Sequence, residues 1–589
     1  MKRYTSLLAA SLMLAALAPI QSHAADNTWN NASANSLWDL SSANWASPAT
    51  WVDGDNAIFN ATGAGTVSLG TAITAQNLTF NAPGYVLAGN GNALTLAGAT
   101  ATITASAGTS NHLAVSILGT DGVTFQGTGT TVLAGDAGLG DANHYTGATY
   151  FRSGTVILQA DGAANGATAG DSHAVESIEA LDTGATLQFG TTFDGSAWVS
   201  APGEQIGARI PGTKMIMTGG TLDLNNDPKN EVVRVPDGFG LIINNGSSVQ
   251  AGLNVIMDGL DHTFSGVIAD GNNGVLIGDN SGQGPGYQIG IVSISGTAGS
   301  TWTLAGDNTY SGSTRIDGNT IVKLAGNHSL GIPTTNSLTG PLRIQGGSAL
   351  DLNGRNQTIA LMTDGGGINA KIYNSAVGTV STLTVGYGNE QAGRNIATAL
   401  MDNTGVGGLF AFRKIDTAPF LQGATLVTTC TQGLKPACVA TYSGDTTIEG
   451  GTLDVQGPSA ISPNSAYRIS TTGTFGPGVL KLNYSDNAPV RQLWINGIQQ
   501  PNGTYGAGTP GIDPTSTGTI TVTGFAPVTL GVTQSGSNLN FSWAGVYKLQ
   551  SSTNNVVGPY SDYVGAGLNA ATVPINPNVG AVYFRLATY

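Results

Sequence analysis

Histidines and carboxylates are the side chains of this sequence that could do acid–base or metal chemistry. Two histidines stand close to an aspartate, in Asp261-His262 and in Asp171-Ser172-His173. A Ser-His-Asp triad depends on the positions of the three side chains in space, and closeness along the chain does not create it. Neither a G-x-S-x-G turn nor an H-E-x-x-H zinc spacing occurs in the sequence. We interpret all histidines after residue 24 as turn or surface residues: His112, His144, His173, His262 and His328.

Carboxylates could also bind calcium or cleave a glycosidic bond. The stretches "DGNNG" at 270–274 and "AGLGDAN" at 137–143 look superficially like calcium loops. An EF-hand would need an oxygen ligand at Gly274 and a glutamate at Ser281. Glycoside hydrolysis needs two clustered carboxylates, and the sequence shows no such cluster. We therefore expect structural turns, with no catalytic, metal-binding or cofactor-binding residues.

A tyrosine motif recurs three times, as "YTGAT" from 145, "YSGST" from 310 and "YSGDT" from 442. Its ring could stack on a ligand, but the copies are 165 and 132 residues apart, which does not suit one compact site. More simply, the glycine provides a turn and the ring covers the edge of a coil. We interpret the motif residues as structural: Tyr145, Gly147, Thr149, Tyr310, Gly312, Thr314, Tyr442, Gly444 and Thr446.

The first 24 residues are typical of a secretory signal peptide. Lys2 and Arg3 precede an apolar stretch at 7–18, and Ser22-His23-Ala24 resembles a cleavage site. Cleavage after Ala24 would change the formal charge from −14 to −16. We predict export to the extracellular space or outer cell surface, with the periplasm as an alternative.

Charged residues make up only 10% of the chain, and no basic patch is present. A nucleic-acid partner is therefore not expected. No later segment offers eighteen continuous apolar residues, so the mature chain is expected to have no transmembrane helix. Only two cysteines occur, Cys430 and Cys438, and in an exported protein we expect them to form a disulfide across a turn at 433–436.

The secondary-structure elements that position these side chains are predicted to be short strands. The chain has 86 glycines and many four-residue alternations, such as "TLQF" at 186–189, "TLDL" at 221–224 and "ALDL" at 349–352. Period two indicates strands with one buried face. We expect Leu187, Phe189, Leu222, Leu224, Leu350 and Leu352 to point inward, and Gln188, Asp223 and Asp351 to point outward.

The same pattern of short alternating strands extends over some 500 residues. It favours an all-β, right-handed parallel β-helix over a sandwich or a propeller. We assign it to 61–525, with coils of about 20–25 residues and strands stacked at about 4.8 Å. The segment 318–324 leaves two registers open, and we choose Val322 and Leu324 as inward-facing because the other register buries Lys323.

The two ends differ from the middle. Residues 25–60 contain four of the eight tryptophans, which predicts an aromatic cap on the first coil; a carbohydrate-stacking platform is the alternative. Residues 526–589 have longer strands and are predicted to form a small β-sandwich. The tryptophans are Trp29, Trp38, Trp45 and Trp51.

The tyrosine motif, with "WTLAGDNT" before it and "GNTIVKL" after it in the second copy, resembles the autotransporter-associated β-strand repeat. Copies lie near 127–158, 296–324 and 441–455. The segment "LQSSTNNVVGPYSDYVG" is similar to terminal modules of secreted proteins from verrucomicrobial-type bacteria. The resemblance implies a secreted, extended β-helix, but the residues after the last copy are too few for a membrane barrel. We therefore apply it to the repeat alone.

Two functions follow as expectations. The first is a secreted or cell-surface β-solenoid with a structural or adhesive role and no evident catalysis. The alternative is a protein that binds or degrades polysaccharide on a pectin-lyase-like β-helix. Extracellular glycans and self-association through strand edges are the partners that these functions imply.

Overall fold

Nearly all regular structure in this chain is β-strand, as the sequence predicts. A computed structural model describes residues 24–587 except 100, 135–143, 159–176, 194–197, 201–204, 207–213, 226–230, 246–250, 272–288, 332–341, 365–368, 387–393, 404–406, 418–419, 423–424, 428–430, 524–528, 544–546 and 568. Outside the strands, a 3-10 turn at Pro458–Ala460 is the helical element of this part of the chain. No helix in it is long and apolar enough to cross a membrane.

The strands stack in parallel and form a β-helix. Two parallel ladders start at the N-terminal end, join in the strands Met215–Asp223 and Pro236–Asn244, and separate again. Together they make a sheet of 23 strands. These are Asp26–Trp29, Leu37–Trp38, Asn56–Phe59, Thr66–Leu69, Leu78–Phe80, Val86–Ala88, Ala101–Ala105, Ser110–Ala114, Val123–Gly127, Thr130–Leu133, Ala148–Phe151, Gly154–Leu158, Ser177–Asp182, Ala185–Phe189, Met215–Asp223, Pro236–Asn244, His262–Phe264, Val267–Asp270, Thr301–Leu304, Ile321–Leu324, Ala349–Asp351, Lys371–Tyr373 and Ala399–Leu400.

Further sheets complete the coils. One has the strands Ile73–Ala75, Leu94–Leu96, Ile117–Gly119 and His144–Tyr145, and the next has Gln205–Ile206, Glu231–Arg234, Ala251–Met257, Ile289–Gly296, Ser313–Ile316, Leu342–Ile344 and Met362–Asp364. A third, called the groove sheet below, has Gln357–Ile359, Val380–Val385, Leu409–Lys414, Thr446–Ile448, Ala466–Ile469, Gln492–Ile495 and Ile498–Gln499. A fourth has Arg394–Ile396, Thr431–Leu434, Gly451–Val455 and Gly478–Leu482, and a fifth has Asn487–Val490, Thr519–Val522 and Gly503–Tyr505. Two antiparallel strand pairs form separate two-stranded sheets, Thr191–Phe193 with Trp198–Ser200 and Phe420–Gln422 with Thr425–Val427.

Coil length varies more than the sequence predicts. Parallel partners are 20 residues apart at Leu304↔Leu324, but 40 residues apart at Phe264↔Leu304. Several strand pairs also shift register through bulges, as between Thr149 and Tyr150. The predicted range of about 20–25 residues is therefore wrong at its upper end.

The core lies inside the coils and is built from alternate strand residues. All six predicted inward-facing residues at 187–189, 222–224 and 350–352 are fully buried, and the chosen register at Val322 and Leu324 is confirmed. Asp223 and Asp351 are buried as well, although the outward orientation that we predicted implies exposure. Each accepts backbone N–H bonds from the turn of the following coil, which covers it.

The N-terminal tryptophans belong to the core. Trp29, Trp38, Trp45 and Trp51 are at most 2% exposed, and their rings contact one another at centroid distances of 4.6–5.3 Å. Since the strand Asp26–Trp29 pairs with Asn56–Phe59 alone among the described strands, this cluster lies at the end of the stack. Buried rings are not available to a carbohydrate, so the platform alternative is wrong.

The C-terminal residues form a separate module with its own apolar cluster. Three antiparallel strands, Gly531–Ser535, Asn538–Ser542 and Ala570–Pro574, make one sheet; Lys548–Ser552, Ser561–Asp562 and Tyr583–Ala587 make another. Phe541, Trp543, Leu549, Ala571 and Val573 are the buried members of the cluster. That the two sheets pack as a sandwich stays a prediction.

Candidate functional site

The three motif copies place the same hydrogen-bonded pair inside the coil. In each copy the tyrosine hydroxyl and the threonine hydroxyl four residues later share a hydrogen bond, with oxygen–oxygen distances of 2.8, 2.6 and 2.6 Å. All three tyrosine rings are at most 1% exposed, so they cannot stack on a ligand. The pairs are Tyr145–Thr149, Tyr310–Thr314 and Tyr442–Thr446.

The motif glycine is required by the neighbouring coil. A Cβ on Gly147 would lie 2.1 Å from the backbone nitrogen of Gly122, and one on Gly444 would lie 2.3 Å from the carbonyl oxygen of Phe410. No side chain fits such a gap, because the obstructing atoms are backbone. Gly312 occupies the same sequence position in the second copy.

A half-buried aspartate supports the motif serine in two copies. Asp270 accepts hydrogen bonds from the backbone N–H of Ser311 at 3.1 Å and from its hydroxyl at 2.5 Å, and Asp402 accepts the N–H of Ser443 at 2.9 Å. Each aspartate lies 41 residues before its serine. Burial raises the pKa of Asp270 to about 6 and also raises the pKa of Asp402. In the first copy Thr146 donates instead to a backbone carbonyl.

The predicted disulfide has only one of its cysteines in the described part of the chain. Cys438 is a buried free thiol that donates to the carbonyl oxygen of Thr398 at 3.1 Å, and burial raises its pKa to about 12. Cys430 lies outside the described residues. The cross-link therefore stays a prediction.

The histidines form no triad among the residues that the structure covers. His262 contacts Asp258 through Nε2 at 3.0 Å and lies 3.6 Å from Asp237 through Nδ1, whereas its neighbour Asp261 accepts the N–H of Thr301. His112 is exposed, and His328 lies 3.7 Å from Asp307. The side chains of His144 and His173 lie outside the described part, as do most of the two calcium-like stretches. No three histidine, cysteine or acidic side chains converge as a metal site in what is described.

The candidate site is a groove of about 310 Å³ on the outer face of the groove sheet. Strand alternation creates it, because Thr446 and Ile448 point into the core while Asp445, Thr447 and Glu449 point outward. Register then brings side chains from separate coils into one row, since Arg413 pairs with Thr447 and Thr447 with Arg468. The polar lining residues that matter below are Arg413, Asp445, Glu449, Arg468, Arg491 and Tyr547.

Both carboxylates of the groove are bonded to arginine. Asp445 accepts from Nε of Arg468 at 2.5 Å through one oxygen, and from Nη2 of Arg491 at 2.9 Å through the other. Glu449 accepts two bonds from Arg413. Such charge-assisted pairs fix the guanidinium planes.

The guanidinium groups of two of these arginines lie over aromatic rings. The guanidinium carbon of Arg468 lies 4.7 Å from the ring centroid of Trp494, and that of Arg413 lies 5.5 Å from Phe475. These distances fall within cation–π range. Tyr547, from the C-terminal module, also lines the groove.

Sequence reasoning missed this groove, although one of its residues stands inside the tyrosine motif. The variable fourth position of the motif is Ala148 in the first copy, Ser313 in the second and Asp445 in the third. Each of the three directly precedes the buried threonine of its copy and is partly exposed. A charged residue at the variable outward position was the available signal.

The chain matches no protein family, and comparisons with curated proteins and with solved structures find no match either.

Proposed function

We propose that this protein is an exported β-solenoid with a structural or adhesive role at or outside the cell surface, and without catalytic activity. The observation that carries the proposal is the buried Tyr–Thr pair, which all three motif copies share. The element that the sequence repeats is used to build coils, and its variable positions face outward. This is how a scaffold that presents a surface is organised.

The groove is consistent with binding rather than with catalysis. A general acid or base must be able to exchange a proton with the substrate. Asp445 is bonded to two arginines and Glu449 to one, and no histidine is among the residues that line the groove. These contacts favour a fixed, ion-paired surface.

Polysaccharide binding or degradation is the second candidate. It is favoured by the combination of arginine, carboxylate and aromatic side chains in one groove. Binding is compatible with an adhesive role, whereas degradation is not. The two candidates therefore differ in whether a bound chain is cut.

The test uses residues 25–589, purified, together with cell fractionation of a strain that produces the full chain. We expect the protein in the medium or on the outer surface, and retention of glycans on an array without new reducing ends. Accumulation in the cytoplasm would refute export. Cleavage of a polysaccharide would refute the non-catalytic role.

A further inference from the structure

We propose that the groove binds an acidic polysaccharide, and that Arg413 and Arg468 receive its uronate carboxylates. This inference rests on the proposed adhesive function, and it names the class of ligand. It is carried by the charge balance of the groove, by unused arginine donors and by the rigid mounting of both guanidinium groups.

The groove is locally positive in an acidic protein. Three guanidinium groups, those of Arg413, Arg468 and Arg491, line the groove together with the two carboxylates of Asp445 and Glu449. The local sum is one positive charge, whereas the whole chain has a formal charge of −14. An anionic chain is therefore attracted to this face more than to its surroundings.

Arginine donors in the groove are still available to a ligand. Arg468 uses Nε for Asp445, and its Nη1 and Nη2 make no hydrogen bond to the residues that the structure describes. Nη1 of Arg413 likewise makes no hydrogen bond within that part of the chain. The side chains of Arg413 and Arg468 are 36% and 28% exposed, so solvent reaches them. A guanidinium edge matches a carboxylate in bidentate geometry.

Both guanidinium groups are held in place before any ligand arrives. An acidic partner fixes one edge of each, and an aromatic ring covers one face, Phe475 for Arg413 and Trp494 for Arg468. Little side-chain entropy remains to be lost on binding. The two arginines come from strands separated by one strand, hence about 10 Å apart across the sheet, so they can contact successive parts of one chain.

The test is calorimetric titration of residues 25–589 with an alginate oligosaccharide of four uronate units, and with cellotetraose as the neutral probe. We expect binding of the uronate probe, weaker binding at higher salt, and no binding of cellotetraose. Arg468→Ala and Arg413→Ala should each weaken binding about 10-fold or more, because a charge-assisted bidentate contact is lost. Arg468→Lys keeps the charge without the fork and should give an intermediate loss.

Arg152→Ala is the matched control. Arg152 is paired with Asp182 at 2.7 Å and lies 4.6 Å from the ring of Tyr150, which is the same arrangement on a distant coil. Its removal should leave the affinity unchanged. Circular dichroism of each variant verifies folding, and two independent arginine variants keep the test decisive if one fails to fold.

Three outcomes would overturn the inference: no binding of the uronate probe, equal binding of cellotetraose, or equal losses in Arg152→Ala and Arg468→Ala. None of them would affect the proposed structural role. Cleavage of the bound oligosaccharide would instead contradict the proposed function while leaving the ligand class intact.

Discussion

At the residue scale, the hydroxyl pair of the tyrosine motif explains why tyrosine and threonine recur together. The ring of Tyr310 fills the coil, and its hydroxyl would be an unsatisfied buried polar group without the hydroxyl of Thr314. A buried hydroxyl without a partner costs about 1–3 kcal/mol. The pairing therefore requires both residues at once, four positions apart.

Tyr310→Phe should lower the free energy of unfolding by about 1–2 kcal/mol, because Thr314 then keeps a buried hydroxyl with no partner in its motif. The double variant Tyr310→Phe/Thr314→Val should lose less than the two single variants together. Chemical denaturation of residues 25–589 measures both quantities. Additive losses would show that the two hydroxyl groups act independently.

The half-buried carboxyl of Asp270 should make stability depend on pH. Its pKa is about 6 in the folded chain against 3.8 for an exposed group, so the folded state holds the proton more tightly. The stabilisation is complete below pH 3.8 and is lost as the pH rises through about 6.

Thermal unfolding between about pH 4 and about pH 7 tests this prediction, with Asp270→Asn as the variant that cannot ionise. The stability advantage of the wild type over Asp270→Asn should shrink as the pH rises. Asp121→Asn, which changes an exposed carboxylate, is the control and should retain the wild-type pH dependence. Parallel pH curves for wild type and Asp270→Asn would contradict the assignment.

At the scale of the coil, close stacking of backbones sets the rules. Gly444 lies where a Cβ would be 2.3 Å from the carbonyl oxygen of Phe410 in the preceding coil. Neither backbone can move without breaking the parallel ladder. The motif glycine is therefore a requirement of coil spacing.

Gly444→Ala should be strongly destabilising, by about 3 kcal/mol or more, since the coils must separate to admit a methyl group. Gly346→Ala is the matched control, because a Cβ there meets nothing within 4 Å. The shift in the unfolding midpoint measures each change. Equal, small shifts would show that the coil tolerates a side chain at the motif glycine.

The alternation of apolar residues along a strand predicts which side chains of a coil face inward. It does not predict features that depend on packing between coils. The register of Val322 and Leu324 is predictable because the alternative buries Lys323. The burial of Asp223 is not predictable in this way, since the group that covers it belongs to the turn of the next coil, 22 residues later. The groove is harder still, because Asp445 and Arg491 are 46 residues apart.

At the scale of the whole molecule, a long parallel stack has two ends that must be closed. The tryptophan cluster fills the N-terminal end, and the antiparallel hairpin Gln492–Ile495 with Ile498–Gln499 ends the groove sheet at the other. The proposed adhesive or structural role falls to the outward surface between these two ends.

The most direct test of the non-catalytic proposal is the release of reducing ends from a panel of neutral and acidic polysaccharides by purified residues 25–589. We expect no release above that of a heat-denatured sample, including from polymers that the protein retains. Sustained release that Asp445→Asn or Glu449→Gln abolishes would contradict it, and would identify the groove as an active site.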